Sequence, residues 1–190
     1  MLAAEQEQTP VLQLSARGAR SPRFGSWLGG AMGGALVASA LLLLGLPEVT
    51  TRGLQDELLA SHVRSLQASH LTDIATSNRH VVKPWFNGRI DFAPPVVELA
   101  TSGFPLAGGR LDYIDGRTVA VLIYHRRLHT INLFIRPAAG LVEPIEATMR
   151  RGSYCLARWT AGGLEYWAVS DIDPAELDTF RSAFRPGARL

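Results

Sequence analysis

Residues 24 to 47, FGSWLGGAMGGALVASALLLLGLP, carry no charge, and Arg17, Arg20 and Arg23 stand just before them. A helix of that length rises about 35 Å, enough to cross a hydrocarbon core of roughly 30 Å. No other stretch is long and apolar enough to do so. The expected plan is a disordered cytoplasmic arm over 1–23, a transmembrane helix over 24–47, a stalk helix over 48–72 and a periplasmic α+β domain over 73–190. Positive charge flanking a membrane helix is retained in the cytoplasm. On the far side only Arg52 is close, among Glu48, Asp56 and Glu57. The N-terminus is therefore expected inside and the C-terminus outside. The rival is a cleaved signal peptide, but Ala38-Ser39-Ala40 is followed by four leucines, a poor mature N-terminus.

Within the apolar segment Gly29, Gly30, Gly33 and Gly34 form two overlapping GxxxG patterns. Small residues at that spacing let two backbones approach closely, as in a homodimer. The plain alternative is that glycine is common in membrane helices.

Basic and acidic residues nearly balance, 19 against 17, so no nucleic-acid footprint is visible. Lys83 is the only lysine, an arginine bias that suggests a GC-rich bacterial genome. One cysteine, Cys155, excludes an internal disulfide and a multi-cysteine zinc site. Its neighbours Tyr154 and Trp159 make it a small buried hydrophobe.

From Leu54 to Leu71 the residues Leu54, Leu58, Leu59, Val63 and Leu66 recur at helical spacing and predict an amphipathic helix whose face packs on the domain. Leu59, Val63, Leu66 and His70 also fit two heptads, too few for a coiled coil. Residues 77–106 are dense in turn formers yet hold Trp85, Phe86 and Phe92, so they are expected to fold over a sheet. Strands are predicted over 110–114, 118–125, 129–136, 153–160 and 164–169. Asp115-Gly116, Arg126-Arg127-Leu128 and Ala161-Gly162-Gly163 form the turns. A last helix starts with Asp173 as N-cap, Pro174 at its first position and Glu176 as capping-box partner, and presents Leu177, Phe180 and Phe184 to the sheet. The fold class is α+β: a single transmembrane helix, then an antiparallel sheet of about five strands with flanking helices.

No nucleophile elbow, zinc-protease motif, CxxC, phosphate loop or dinucleotide fingerprint occurs. No catalytic, cofactor-binding or metal residues are assigned, and the chain is not expected to be an enzyme. The candidate partner-binding residues are His80, Lys83, Trp85, Phe86, Arg126, Arg127 and His129. Lys83, Trp85, Phe86 and Arg89 combine charge with aromatics, as binding hot spots do. The alternative is a turn whose Trp85 fills the core. Arg126 and Arg127 sit at a hairpin tip, where such charges otherwise just solvate a turn. His129 shares strand parity with Ile131, Leu133 and Ile135 and is expected on the apolar face, buried and hydrogen-bonded. Were His80 to meet it, the two and a third group would suffice for a metal ion. A histidine would also sense acid.

Several runs in one order carry a resemblance. They are ASHVRSL over 60–66, HLTD over 70–73, HVVKPWFNG over 80–88, DFAPPV over 91–96, GFPL over 103–106, GGRLDY over 108–113, YHRR over 124–127 and HTINLF over 129–134. Together they resemble the extracytoplasmic half of bacterial transmembrane anti-sigma factors, from about residue 54 to the last helix. The resemblance implies a membrane-anchored regulator in the bacterial inner membrane whose periplasmic domain senses or transmits envelope conditions. In that family a cytoplasmic module, often with an HxxxCxxC zinc motif, grips an extracytoplasmic-function sigma factor. Residues 1–23 contain no His or Cys. The zinc-type module is thus expected to be absent, and a sigma factor to be a partner only if the chain extends upstream of Met1. The competing expectation is a membrane-anchored periplasmic binding or assembly module with no sigma-factor partner. The lipid bilayer is a partner in both.

Overall fold

The computed structural model describes residues 51–67, 71–139 and 146–185. Contacts divide the chain into Met1–Leu46 and Pro47–Leu190, and the described residues belong to the second unit. The arm, the apolar segment and its four glycines lie outside them. Among the described residues no helix is long and apolar enough to cross a membrane.

Alternation of β-branched and aromatic residues builds one antiparallel sheet. Its strands are β1 (Ile74–Ala75), β2 (Leu106–Ile114), β3 (Arg117–Arg126), β4 (His129–Pro137), β5 (Glu146–Arg151), β6 (Tyr154–Ala161) and β7 (Leu164–Ser170), in the order β1-β2-β3-β4-β7-β6-β5. The expected five strands are all present within a few residues of their predicted ends. Asp115-Gly116 (φ 52° and 73°) and Gly162-Gly163 (φ 58° and 75°) turn with positive φ at both positions, the twist that a two-residue hairpin needs. β1 and β5 are additional. β1 is two residues laid against β2 at a bulge, where Gly108 has φ 154° and a Cβ would stand 2.1 Å from the Ile74 carbonyl oxygen. β5, EATMRR, has too little apolar alternation to announce itself.

The sheet is two three-stranded meanders, β2-β3-β4 and β5-β6-β7, joined where β4 pairs with β7. At that seam the buried Glu165 carboxylate accepts from Arg136 at 2.6 Å and from Arg158 at 2.7 Å. The charge is buried but paired on both sides, which is what permits it.

One face of the sheet is covered by the helix α2 (Arg79–Trp85), a 3-10 turn at Ala100–Ser102 and the last helix, α3 (Pro174–Phe184). Asn78 caps α2 by accepting the His80 N–H at 2.9 Å. Residues 77–106 do fold over the sheet: Val82, Phe86, Val96, Leu99 and Phe104 join its core. Asp173 caps α3 by accepting the Ala175 N–H at 2.8 Å, with Pro174 in the first turn. Leu177, Phe180 and Phe184 are fully buried. Phe180 meets Phe104 and Tyr124 edge-on at 5.3 and 5.1 Å, and Tyr124 anchors the loop above by donating to the Val97 carbonyl at 2.8 Å. Each such buried ring contributes about 1.5–3 kcal/mol by area alone. Cys155 lies buried on this face.

Candidate functional site

The helix over 51–67, here α1, covers the other face, with the expected Leu54 and Leu58 in its first turns and an unexpected polar side beyond them. Its buried residues are Leu54, Gln55, Leu58, Ser61, His62 and Ser65, whereas Leu66 is 44% exposed and Leu59 and Val63 are half-buried. The leucines of the first two turns pack on Val121, Ile123, Phe134, Leu156 and Trp167. Beyond Leu58 the same line of the helix turns polar.

What it meets there is a polar cluster rooted in the sheet. Arg110 on β2 is 4% exposed, and its guanidinium donates to Ser61 Oγ at 3.3 Å, to Asp112 Oδ2 at 3.4 Å and to the Leu71 carbonyl at 3.3 Å. The Ser61 hydroxyl donates to the same Asp112 oxygen. Asn132 on β4 is fully buried on this face. Satisfying the network turns its amide oxygen inward, where it accepts from Arg110 at 3.2 and 3.3 Å and from His62 Nδ1 at 3.2 Å. Ser65 donates to the His62 carbonyl at 2.8 Å. The His62 ring stands edge-on to Tyr154, centroids 5.4 Å apart, and its Nε2 has no hydrogen-bond partner.

Electrostatics follow from that burial. Removal from water, reinforced by the Arg110 charge and opposed by Asp171, lowers the His62 pKa to about 4. The ring is neutral at neutral pH. Burial likewise lowers the Arg110 pKa, against the attraction of Asp112. The helix margins are tied by charge: Glu57 accepts the Asp115 N–H at 2.9 Å, and Asp56 pairs with Arg151 at 2.8 Å. Arg110, Asn132 and His62 were not expected to form a cluster. The usable signal was the continuation of the Leu54–Leu58 line through Ser61, His62 and Ser65, and an asparagine in phase with Phe134.

The residues expected to bind a partner fall into two groups. His80, Lys83, Trp85 and Phe86 lie on and just after α2. His80 is exposed beside Arg79, and Lys83 is exposed in the last turn. Trp85 is half-buried with the Arg89 guanidinium 4.7 Å above its ring. Phe86 is fully buried over Gly109, so it fills the core and presents no surface to a partner. Arg126, Arg127 and His129 lie at the β3–β4 turn. Arg126 donates to Glu176 at 3.0 and 3.1 Å and stacks 4.9 Å from Phe104; Arg127 reaches the same carboxylate. Glu176 is thereby used across the fold, not in the expected capping box. His129 is not buried on the apolar face. It sits at the strand's end, 40% exposed, with Nδ1 2.9 Å from Asp171.

The geometry brings no contact between His80 and His129. Among the described residues no group of three metal-capable side chains comes together. A cleft of about 380 Å³ is lined by Arg89, Ile90, Asp91, Arg117, Thr118 and Pro137, with no nucleophile beside a base. No protein-family model matches the chain, and no curated protein matches it.

Proposed function

We propose that this chain is a membrane-anchored regulatory protein of the anti-sigma-factor type, its folded unit on the periplasmic side of a bacterial inner membrane. It acts by binding and by release of a docked helix, not by chemistry within the domain. The observation that carries this reading is the seating of α1. That helix follows the apolar segment in sequence, and beyond Leu58 it meets the sheet through a buried polar network around Arg110, Asn132 and His62. Such networks specify one arrangement, and they fail as a unit when one member is unpaired. A partner, a proton or a pull acting on the domain therefore has a discrete element to bias. The bilayer is the first partner and an extracytoplasmic-function sigma factor the second.

Two measurements test the reading. Alkaline phosphatase fused after Leu190 is expected to be active; an inactive fusion beside an active cytoplasmic reporter overturns the topology. Deleting the gene is expected to raise transcription from promoters of an extracytoplasmic-function sigma factor, and Asn132→Leu to shift that output when normalised to the amount of protein present. An exported fusion with no effect on any such promoter leaves an anchored binding or assembly module in place of a regulator.

A further inference from the structure

The two edges of the sheet are treated differently. Along β2 the outward N–H groups beyond β1 are occupied. Asp73 N–H and Thr76 N–H donate to the Gly109 and Ala107 carbonyls at 2.9 and 3.0 Å. The N–H groups of Leu111 and Tyr113 are capped by the side chains of Asp73 and Asp112, each at 2.9 Å. Side-chain carboxylates on those N–H groups remove the donors that another strand would need there. At the other edge β5 runs six residues, and among the described residues no strand lies beyond it.

The register of β5 says which of its groups face outward. Gly152-Ser153 is a two-residue turn with φ 59° at the glycine, and Arg151 faces Tyr154 across it. Residues flanking such a turn exchange both hydrogen bonds, and the pattern alternates from there. Arg151, Met149 and Ala147 therefore bond to β6, and the backbone groups of Glu146, Thr148 and Arg150 point away from the sheet. The side chains of those three share the α3 face, since they pair with Trp159, Ala157 and Cys155. Thr148 holds Asp178 of α3, and Glu146 reaches Arg185.

We propose that β5 pairs with β5 of a second copy of this chain, antiparallel and about a two-fold axis through Thr148. Only residues with outward backbone groups can form the bonded pairs, so the register is restricted to steps of two. The centred register sets Thr148 opposite Thr148, and Glu146 of each copy opposite Arg150 of the other. Both charges are exposed at the end positions of the open strand, and opposite charges directly across a pair attract. A shift of two residues either way loses both charge pairs. Arg185 of the same chain already reaches Glu146, and a second copy adds its Arg150 to that carboxylate; a neutral strand would leave Arg150 unmatched, which is the usual defence of an edge. The surface is isologous, as a two-fold dimer requires. This proposal is independent of the regulatory reading above.

The experiment uses the full chain in detergent micelles. Thr148→Cys is expected to form an intermolecular disulfide on mild oxidation, because directly opposed residues of a bonded pair lie about 5.5 Å apart between Cα atoms. Ser153→Cys, off the axis in the turn, is the control and is expected not to. In the Thr148→Cys background Glu146→Arg sets like charges opposite each other twice, and should weaken dimerisation about tenfold or more by sedimentation and by cross-linking yield. Adding Arg150→Glu inverts the pattern and should restore it. Absence of the Thr148→Cys cross-link, a dimer indifferent to Glu146→Arg, or no recovery in the double charge swap would each overturn the proposal.

Discussion

The Arg126 guanidinium and the Glu176 carboxylate meet at 3.0 Å across 50 residues of sequence, joining the β3–β4 turn to the first turn of α3. Glu176 stands three residues after the N-cap Asp173, a local capping position, and is drawn instead to two arginines of another hairpin. A charge-assisted pair that is three-quarters buried outweighs a hydrogen bond to an exposed N–H.

Glu176→Gln should therefore destabilise the fold by about 1–2 kcal/mol, allowing for partial solvent screening. Urea unfolding of Glu176→Gln, Arg126→Met and the double variant gives the coupling. A coupling of about 1 kcal/mol is expected, and one near zero would return Glu176 to a purely local role.

Phe180→Ala should cost about 3–5 kcal/mol, since the ring is fully buried between Phe104, Tyr124 and Phe184. Denaturant midpoints measure it, and a loss below about 1 kcal/mol would mean that α3 is not docked through this ring.

Acid should loosen the fold through His62. Its folded pKa of about 4 lies below the unfolded value near 6.5. The neutral ring's contribution is complete above pH 6.5 and is lost as pH falls from 6.5 towards 4. The total is about 3 kcal/mol. Carboxylates titrate in the lower part of that window too, so the difference between wild type and His62→Gln is the quantity to follow. It should shrink as pH falls; a pH-independent difference would show that His62 is not held neutral by burial.

Asn132→Leu keeps the branched four-atom side chain but removes the oxygen that accepts from Arg110 and His62. Stranding those donors should cost about 2–4 kcal/mol. Amide hydrogen exchange should rise across residues 51–67 before it rises in β3 and β4. Uniform acceleration over the whole sheet would argue that α1 is not a separately releasable element.

Much of the sheet was legible because its information is local. Asp115-Gly116 and Gly162-Gly163 state their turns in two letters, and Asp173-Pro174 states the start of α3. The strands between them carry the apolar alternation that half-buried ladders need. The first turns of α1 were legible in Leu54 and Leu58, but the buried side beyond them was not. Val63 and Leu66 continue the apolar stripe better than Ser61, His62 and Ser65, and the choice is made by the sheet, where Arg110 and Asn132 demand polar partners. The candidate site was missed for the same reason: hydrophobic periodicity cannot see a helix seated partly by hydrogen bonds. β1 escaped because two residues have no period, and His129 because strand parity says nothing about where a strand leaves the core.

The seam between β4 and β7 has a further consequence. Each meander is closed by short turns, so its pairings form between near neighbours in the chain, and the seam alone joins one meander to the other. The domain is thus two local units awaiting one encounter. Cut between β4 and β5, it should behave as a split protein, with fragments that find each other through Phe134 opposite Trp167 and Ile135 opposite Tyr166, reconstituting the native sheet without a covalent link.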